Sequence, residues 1–481
     1  MKLKKDATEM PLEKRTKEQI KTWKEWLNKM KNRKLFERNL SCLKTANLSQ
    51  PTDEVATAAV IVGDIDVIRK LAAAGYKRWP IKKIGWGAFH TPCVDVVRFI
   101  VESGFDITEI GDNWAVQARQ DQGEKPPLCV AAECGHADVV AYLLSVGADA
   151  KYINSKRFTP LHFAGASQSL ETVKLLVDAG ADVNAVSRKC WIVPARSVLD
   201  IMAESGFYEG LRYLVNRGAE LHYHKEYQNL LQTVCGSDIR TGNILETTSY
   251  LLDKGFDPFG VSKESPAPVE LAAKSNNTEA LRALIKHGIP LDKSPVVGNK
   301  KDKLLPLEIA AQNELSDEDH LIETLELISK HSLPFSETYV LNCVAANVTY
   351  QPRARVCRYL LDKGCPVNTD WARNDFTHDV IFHSPLHAIT SAYNYNQRAE
   401  MVAMLLDAGA NVNQKTPAGF TPLACAVWNP KGDIEEVISL LHKAGADFTV
   451  KTERGLSILD IAQNHHADPD VMELLKRLGA K

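Results

Sequence analysis

The chain has 481 residues, of which 44% are hydrophobic and 25% are charged, and its formal net charge is −2. This composition indicates a folded protein, and it excludes a chain that binds nucleic acid or membranes through its overall charge. It contains no run of the roughly 20 apolar residues that span a membrane, and its amino terminus lacks the apolar core of a signal peptide. We therefore expect a cytoplasmic protein with reduced cysteines.

The first 50 residues are distinguished by their positive charge. Residues 1–44 hold fourteen Lys or Arg and six Asp or Glu, a net charge of +8, which leaves −10 for the remainder. The apolar residues that share a face at helical spacing are Ile20, Trp23, Trp26, Leu27 and Met30. We predict that residues 1–50 form a basic helical cap or extension. The alternative is a helix that recognises an acidic partner or anionic lipid.

From residue 51 onwards one pattern recurs, an apolar helix-like run followed by Gly and a short extended tail, as in "TVKLLVDAGADVN". The period averages about 37 residues, since eleven intervals span 404 residues, and it predicts a solenoid of stacked units. Ser332 replaces the glycine in one unit. The glycines are Gly75, Gly104, Gly147, Gly180, Gly218, Gly255, Gly288, Gly364, Gly409, Gly445 and Gly479.

The unit that begins at Thr159 shows what each stretch is expected to form. Thr159 can cap a helix with its hydroxyl, and Pro160 suits the first helical position, where its missing N–H costs nothing. A turn at 167–169 precedes a second helix over 172–177, which is apolar on one side. Gly180 is predicted to end this helix in the left-handed conformation, where a Cβ would be strained.

The "TPLH-x-A" boxes and "LL-x-x-GAD-x-N" tails of these units resemble the ankyrin repeat family. The resemblance implies an all-α solenoid of about 12 stacked helix-turn-helix units, joined by short finger loops between each tail and the next box. The array is predicted to cover 51–481. It is most regular at 126–218 and 384–480, and it diverges from the family pattern at 76–125 and 219–365.

Two of the boxes hold a histidine, His162 and His387, that could be mistaken for a catalytic group. A catalytic histidine would be singular, whereas this slot holds several residue types in other boxes. These residues are Cys129, Asp200, Glu308, Ala424 and Asp460. In the family that the chain resembles, this histidine ties its turn to the neighbouring unit by hydrogen bonds. We therefore predict a structural role for both histidines.

The chain carries no phosphate-binding, zinc-protease or serine-nucleophile motif. Cys129, Cys134 and His136 have the residue types of metal ligands, but Cys129 falls on the core side of a predicted helix and His136 in a turn. Cys357 and Cys365 flank a helix end. We expect no catalytic residue, no cofactor and no metal.

The resemblance implies a protein–protein interaction module, an adaptor or scaffold that binds another protein and not nucleic acid. The binding surface is expected on the finger loops and first helices, where exposed Trp and Arg side chains often dominate affinity. The opposite possibility is that the aromatic rings pack between the fingers. The candidate contacts are Lys156, Arg157, Phe158, Arg188, Trp191, Trp371, Arg373, Phe376 and Phe420.

Three insertions lengthen the array, at 105–126, 289–304 and 366–383. They are either binding loops or surface insertions, which cost little free energy. Two other functions stay open. One is a microbial effector that binds a host protein in the host cytosol, and the other is an enzyme with its site in the divergent region 219–365.

Overall fold

The computed structural model describes most of the repeat array. Apart from the helical residues 41–43, the described chain forms 23 α-helices and one 3₁₀ helix, with two isolated β-bridges in place of strands. None of these helices has the length and apolar character needed to cross a membrane. The described residues are 41–43, 52–76, 89, 93–108, 125–188, 195–221, 229–238, 242–259, 266–291, 304–313, 316–346, 353–369, 384–392 and 398–481.

The helices fall into two compact units. The first consists of the described residues up to Met202 together with Arg212–Glu220, and the second of Ala203–Leu211 together with Leu221–Lys481. The division runs through α8 (Val198–Glu204) and α9 (Tyr208–Asn216). The helices before them are α1 (Asp53–Val62), α2 (Ile65–Ala73), α3 (Val94–Glu102), α4 (Pro127–Cys134), α5 (Ala137–Ser145), α6 (Pro160–Gly165) and α7 (Leu170–Asp178).

The second unit continues the alternation of a first and a second helix. Its helices are α10 (Leu230–Cys235), α11 (Ile244–Asp253), α12 (Pro268–Lys274), α13 (Thr278–Lys286), α14 (Pro306–Ala311), α15 (Glu318–Ser329), α16 (Val340–Ala346), α17 (Ala354–Asp362), α18 (Pro385–Ser391), α19 (Arg398–Asp407), α20 (Pro422–Trp428), α21 (Ile434–Lys443), α22 (Ile458–Asn464) and α23 (Pro469–Arg477). The 3₁₀ helix, Phe335–Glu337, precedes α16.

The helices stack in two rows. In the second unit, α10, α12, α14, α16, α18, α20 and α22 contact one another in order, and the second helices from α11 to α23 do the same. In the first unit α4 packs on α6, and α5 packs on both α3 and α7. Neither helix of a pair can bury its apolar face alone, so stacking produces a continuous core. The all-α solenoid predicted from the sequence is confirmed.

The two rows differ in how deeply they are buried. Every residue of α6, from Pro160 to Gly165, is buried. The second helix of the same pair, α7, buries only Thr172, Val173 and Leu176. In this pair the first helix is enclosed on all sides, whereas the second helix keeps a polar face in water. Other first helices are buried less completely, since Lys274 in α12 and Gln463 in α22 are exposed.

Left-handed glycines end the second helices. All eleven tail glycines have a positive φ, between +73° and +100°. At Gly445 (φ +87°) an added Cβ would meet no heavy atom within 4 Å, so the conformation and not the space requires glycine here. The prediction made for Gly180 is confirmed, with φ +88°. In the unit with Ser332 the preceding helix ends differently, since neither His331 nor Ser332 has a positive φ.

Asparagine side chains join successive tails. The Asn413 amide donates to the Gly445 carbonyl (2.9 Å), and its oxygen accepts from the backbone N–H of Asp447 (2.8 Å). Asn184 and Asn368 make the same pair of hydrogen bonds to the tails that follow them. The asparagine of the tail motif therefore stabilises the spacing between neighbouring units.

Arg398 is the largest fully buried side chain in the described part of the chain. Its Nε donates to Asp433 Oδ1 (2.7 Å), and its two Nη atoms donate to the carbonyls of Lys431 (2.7 Å) and Asn429 (3.3 Å). The second oxygen of Asp433 accepts from the backbone N–H of Ala399 (2.8 Å). The guanidinium therefore connects the start of α19 to the loop before α21.

Replacing Arg398 by Ala is expected to lower the free energy of unfolding by about 3 kcal/mol, because it leaves Asp433 and two carbonyls without their donor. Urea denaturation of the purified protein measures this loss. Arg282→Ala is the matched control, since Arg282 contacts Glu323 (3.0 Å) with both side chains about half exposed. That pair is expected to contribute less than about 1 kcal/mol. Equal losses in the two variants would contradict the role assigned to Arg398.

Candidate binding site in the finger loops

The finger loop at Asn154–Phe158 is a tight turn held by one side chain. The backbone N–H of Asn154 donates to the Phe158 carbonyl (3.1 Å), and that of Arg157 donates to the Asn154 carbonyl (2.8 Å). The side-chain oxygen of Asn154 accepts from the backbone N–H groups of Lys156 (3.0 Å) and Phe158 (2.8 Å). Because Asn154 is itself buried, this turn is fixed from inside.

The same turn recurs at Thr416–Phe420 and Thr452–Leu456, where a threonine hydroxyl replaces the asparagine oxygen. Its fourth residue is left-handed in all three fingers, with φ 81° at Gly419, 77° at Gly455 and 61° at Arg157. An L-residue with a side chain is disfavoured in this region. Arg157 therefore stands where the two equivalent fingers place glycine.

A groove of about 430 Å³ lies between this finger and the next tail, and we call it the finger groove. The backbone N–H of Arg188 donates to the Lys156 carbonyl (2.8 Å), which holds the following finger beside the first one. The residues that line the groove are Lys151, Ile153, Arg157, Thr159, Gly180, Asp182, Asn184, Ala185 and Val186.

The finger groove combines positive charge with an apolar side chain. Lys151 and Arg157 supply the cations, and Ile153 is 57% exposed. The Lys151 side chain lies over Gly180, since a Cβ there would be 3.2 Å from Lys151 Cε. Asp182 Oδ1 accepts from the backbone N–H of Asn184 (2.9 Å). The groove has the chemistry to hold a carboxylate next to an apolar group.

The basic candidates from the sequence lie at this groove. Arg157 lines it, and Lys156 and Arg188 belong to the two fingers beside it. Arg157 and Arg188 are exposed, and Lys156 is half-buried. The structure therefore brings these three residues together on one surface.

The aromatic candidates Phe158 and Phe420 are buried, each 7% exposed. Phe158 packs on His162 and Phe163, at ring distances of 5.2 and 5.7 Å, and Phe420 packs on Trp428 at 5.5 Å. Both follow the left-handed residue, where the chain turns back toward the stack. These two rings stabilise their fingers and do not form the exposed contacts expected from the sequence.

The remaining candidates lie outside the described residues. They are Trp191, Trp371, Arg373 and Phe376. The basic segment 1–40 and nearly all of the insertions at 105–126, 289–304 and 366–383 also lie outside them.

His162 links its box to the following finger. Its Nδ1 accepts from the backbone N–H (3.1 Å) and the hydroxyl (2.8 Å) of Thr159, so its Nε2 carries the proton and donates to the Arg196 carbonyl (3.2 Å). His387 makes corresponding contacts with the Ser384 hydroxyl (2.8 Å) and the Phe420 carbonyl (3.2 Å), and it also lies 3.0 Å from the Gln414 carbonyl. The structural role predicted for both histidines is confirmed.

Other residue types make the same connection in other boxes. Gln232 Nε2 donates to the Pro266 carbonyl (2.7 Å), and Glu308 Oε1 accepts from the backbone N–H of Tyr339 (2.9 Å). The box of Gln232 lacks the Pro-Leu signature, so the repeat motif does not point to this residue. Its position three residues after the capping Asn229 is the signal that identifies it.

The buried cysteines are packing residues in this structure. Burial raises the pKa of the Cys129 and Cys235 thiols well above its ordinary value, and it raises the pKa of Cys357 and Cys365 to about 12. These thiols are therefore protonated at neutral pH and are poor nucleophiles. Where the structure describes the chain, no group of three or more His, Cys, Asp or Glu is placed to hold a metal ion.

Comparison with known proteins agrees with this architecture. A family profile described as ankyrin repeats in three copies matches residues 110–187, and a single ankyrin repeat profile matches residues 383–417. The chain contains ankyrin repeats. His162, Asn184, His387 and Asn413 lie within the matched residues and are therefore parts of these repeats.

The chain matches only part of the length of its curated relatives. The chain is 26% identical to ankyrin repeat and KH domain-containing protein CBG24701 of Caenorhabditis briggsae, over 73% of this chain and 11% of the relative. It is 26% identical to ankyrin repeat, SAM and basic leucine zipper domain-containing protein 1 of Dasypus novemcinctus, over 25% of this chain and 24% of the relative. It is 31% identical to alpha-latrocrustotoxin-Lt1a of Latrodectus tredecimguttatus, over 19% of this chain and 8% of the relative. The matched part of this chain spans a quarter or less of each of these relatives.

The His162 connection is expected to make stability depend on pH. Burial lowers the pKa of His162 from 6.5 to about 4, so the unfolded chain takes up this proton at a higher pH than the folded one. The contribution is complete above pH 6.5 and is lost as the pH falls toward 4. Between pH 7 and 4.5 the wild type should lose about 2 kcal/mol more unfolding free energy than His162→Asn.

Urea denaturation at the two pH values measures this difference. Gln232→Ala is the control, because it removes the same kind of connection through an amide that does not titrate. It is expected to lower stability at both pH values and to leave the pH dependence of the wild type intact. The assignment fails if His162→Asn retains the full pH dependence.

Proposed function

We propose that this protein is an adaptor or scaffold without catalytic activity, and that it holds a partner protein at the finger groove. Ankyrin repeats indicate a protein–protein interaction module, and the proposal adds the surface that is used. The observation that carries it is the groove itself, where Lys151, Arg157 and the 57%-exposed Ile153 surround an open space of about 430 Å³.

The groove is formed before any partner arrives. Asn154 fixes the first finger through four hydrogen bonds, two to its side chain and two through its backbone, and the Arg188–Lys156 hydrogen bond fixes the second finger against it. A surface that is already ordered loses little conformational entropy on binding, so more of the contact energy appears as affinity.

The proposed surface consists of finger loops and excludes α6 and α20, because the side chains of these first helices are buried. All six residues of α6 are buried, and so are the residues from Pro422 to Val427 in α20. Such helices have no side chain to offer a partner. The finger loops carry the charged and apolar side chains that a binding surface needs.

The alternatives lead to different expectations. An enzyme with a cysteine nucleophile within 219–365 would need an activated thiol, and three of the described thiols there, Cys235, Cys357 and Cys365, are buried with raised pKa values. A microbial effector that binds a host protein would use the same surface in the host cytosol. We place the protein in the cytoplasm of the cell in which it acts.

Affinity capture tests the proposed surface. Lys156→Glu/Arg188→Glu should reduce the recovery of the wild-type partners by tenfold or more, because it reverses two charges beside the groove. The matched control is Lys286→Glu/Lys330→Glu, which makes the same change in net charge on second-helix surfaces. Quantitative mass spectrometry measures the recovered proteins. Equal recovery by both double variants would place the binding surface elsewhere.

A further inference from the structure

Arg157 occupies a backbone conformation that favours glycine. In the described chain four residues with a side chain have a positive φ, and Gln168, Asn276 and His466 lie in turns between two helices of a pair. Arg157 is the one in a finger. Strained residues of this kind persist where the surrounding structure enforces them, and they are found often at binding sites.

The turn does not need the arginine side chain. Gly419 and Gly455 make the same turn, and each donates its backbone N–H to the first residue of the finger (2.8 Å) as Arg157 does. Arg157 is exposed, and among the described residues its guanidinium has no ion-pair partner. A glycine would satisfy the fold at lower strain, so the side chain contributes something other than stability.

The charges around Arg157 favour an anion. Lys151 and Arg157 line the finger groove together with one acid, Asp182, so the lining carries a net charge of +1 in a chain whose residues after 44 carry a net charge of −10. Asp182 Oδ1 accepts from the backbone N–H of Asn184 (2.9 Å), whereas the exposed Arg157 guanidinium is in no ion pair among the described residues. The groove therefore suits an anion that meets Arg157.

We propose that the finger groove binds an extended acidic segment of a partner protein, with Arg157 holding one of its carboxylates and Ile153 covering an adjacent apolar side chain. This inference rests on the proposed function and names the chemistry of its partner. A guanidinium binds a carboxylate through two parallel hydrogen bonds, which supplies orientation as well as energy. The left-handed backbone directs this side chain from a fixed point at the finger tip.

Three pools of fluorescent decapeptides provide the test. Each pool has randomised flanks and a fixed centre, which is Glu-Leu-Glu, Ser-Leu-Ser or Lys-Leu-Lys. Fluorescence anisotropy measures their affinity for the full-length wild type, Arg157→Gly and Arg454→Gly. Arg454 is an exposed arginine in the equivalent finger Thr452–Leu456, so its replacement is the matched control. The basic residues 1–44 are present in all three proteins, and their contribution cancels in the comparison.

The wild type is expected to prefer the Glu-Leu-Glu pool by at least about tenfold. Arg157→Gly should lose at least about tenfold in affinity for this pool without a lower melting temperature, because glycine accepts the left-handed conformation. Arg454→Gly should bind as the wild type does. If Arg157 had only a structural role, Arg157→Gly would not lose peptide affinity while it keeps or raises its melting temperature.

Equal binding of the Glu-Leu-Glu pool by wild type and Arg157→Gly would overturn the inference, as would an equal loss in Arg454→Gly. The inference would also be overturned if the wild type preferred the Ser-Leu-Ser or Lys-Leu-Lys pool and Arg157→Gly changed the affinity for that pool. The proposed function would survive that last result, because the groove would still bind a peptide. Failure of all three pools to bind overturns the acidic inference, and the capture experiment then decides separately on the proposed surface.

Discussion

A hydrogen bond between the fourth residue of a box and the backbone that leads into the next box connects successive repeats of this stack. His162, Gln232, Glu308 and His387 make it, although they differ in size and charge, whereas Ala424 in the same slot has no polar side-chain atom to do so. Each of these side chains also caps its own helix or contacts the capping residue. One side chain therefore fixes both where a first helix begins and where the next finger lies. The spacing between consecutive fingers depends on this connection.

The same arrangement explains why the proposed binding surface lies in the fingers. Stacking buries α6 and most of α20, so changes there alter the core, and losses of core volume are costly. A finger turn needs one internal acceptor and one left-handed residue, and Phe158 and Phe420 show that its fifth residue can pack into the stack, which leaves its second and third positions least constrained. Arg157 uses even the left-handed position for a charged side chain, at a cost in strain that Gly419 and Gly455 avoid.

Much of this could be predicted from the sequence because it depends on local periodicity. The Gly180 conformation follows from its place after an apolar helix, and the role of His162 follows from the variety of residues in its slot. The burial of Phe158 and Phe420 could not be predicted in this way, because a ring after a turn can point toward solvent or into the stack. Arg398 was also missed, since its ion pair joins residues 35 positions apart with no recurring pattern.

The sequence by itself determined the all-α class, the repeating helix pair and the ends of the second helices, because each depends on residues within one period of the chain. Only the tertiary structure decided which finger residues are exposed and that Lys151, Ile153 and Arg157 surround one groove. These facts depend on the contact between consecutive repeats. A sequence motif specifies one repeat at a time, whereas the groove exists only where two repeats are in contact.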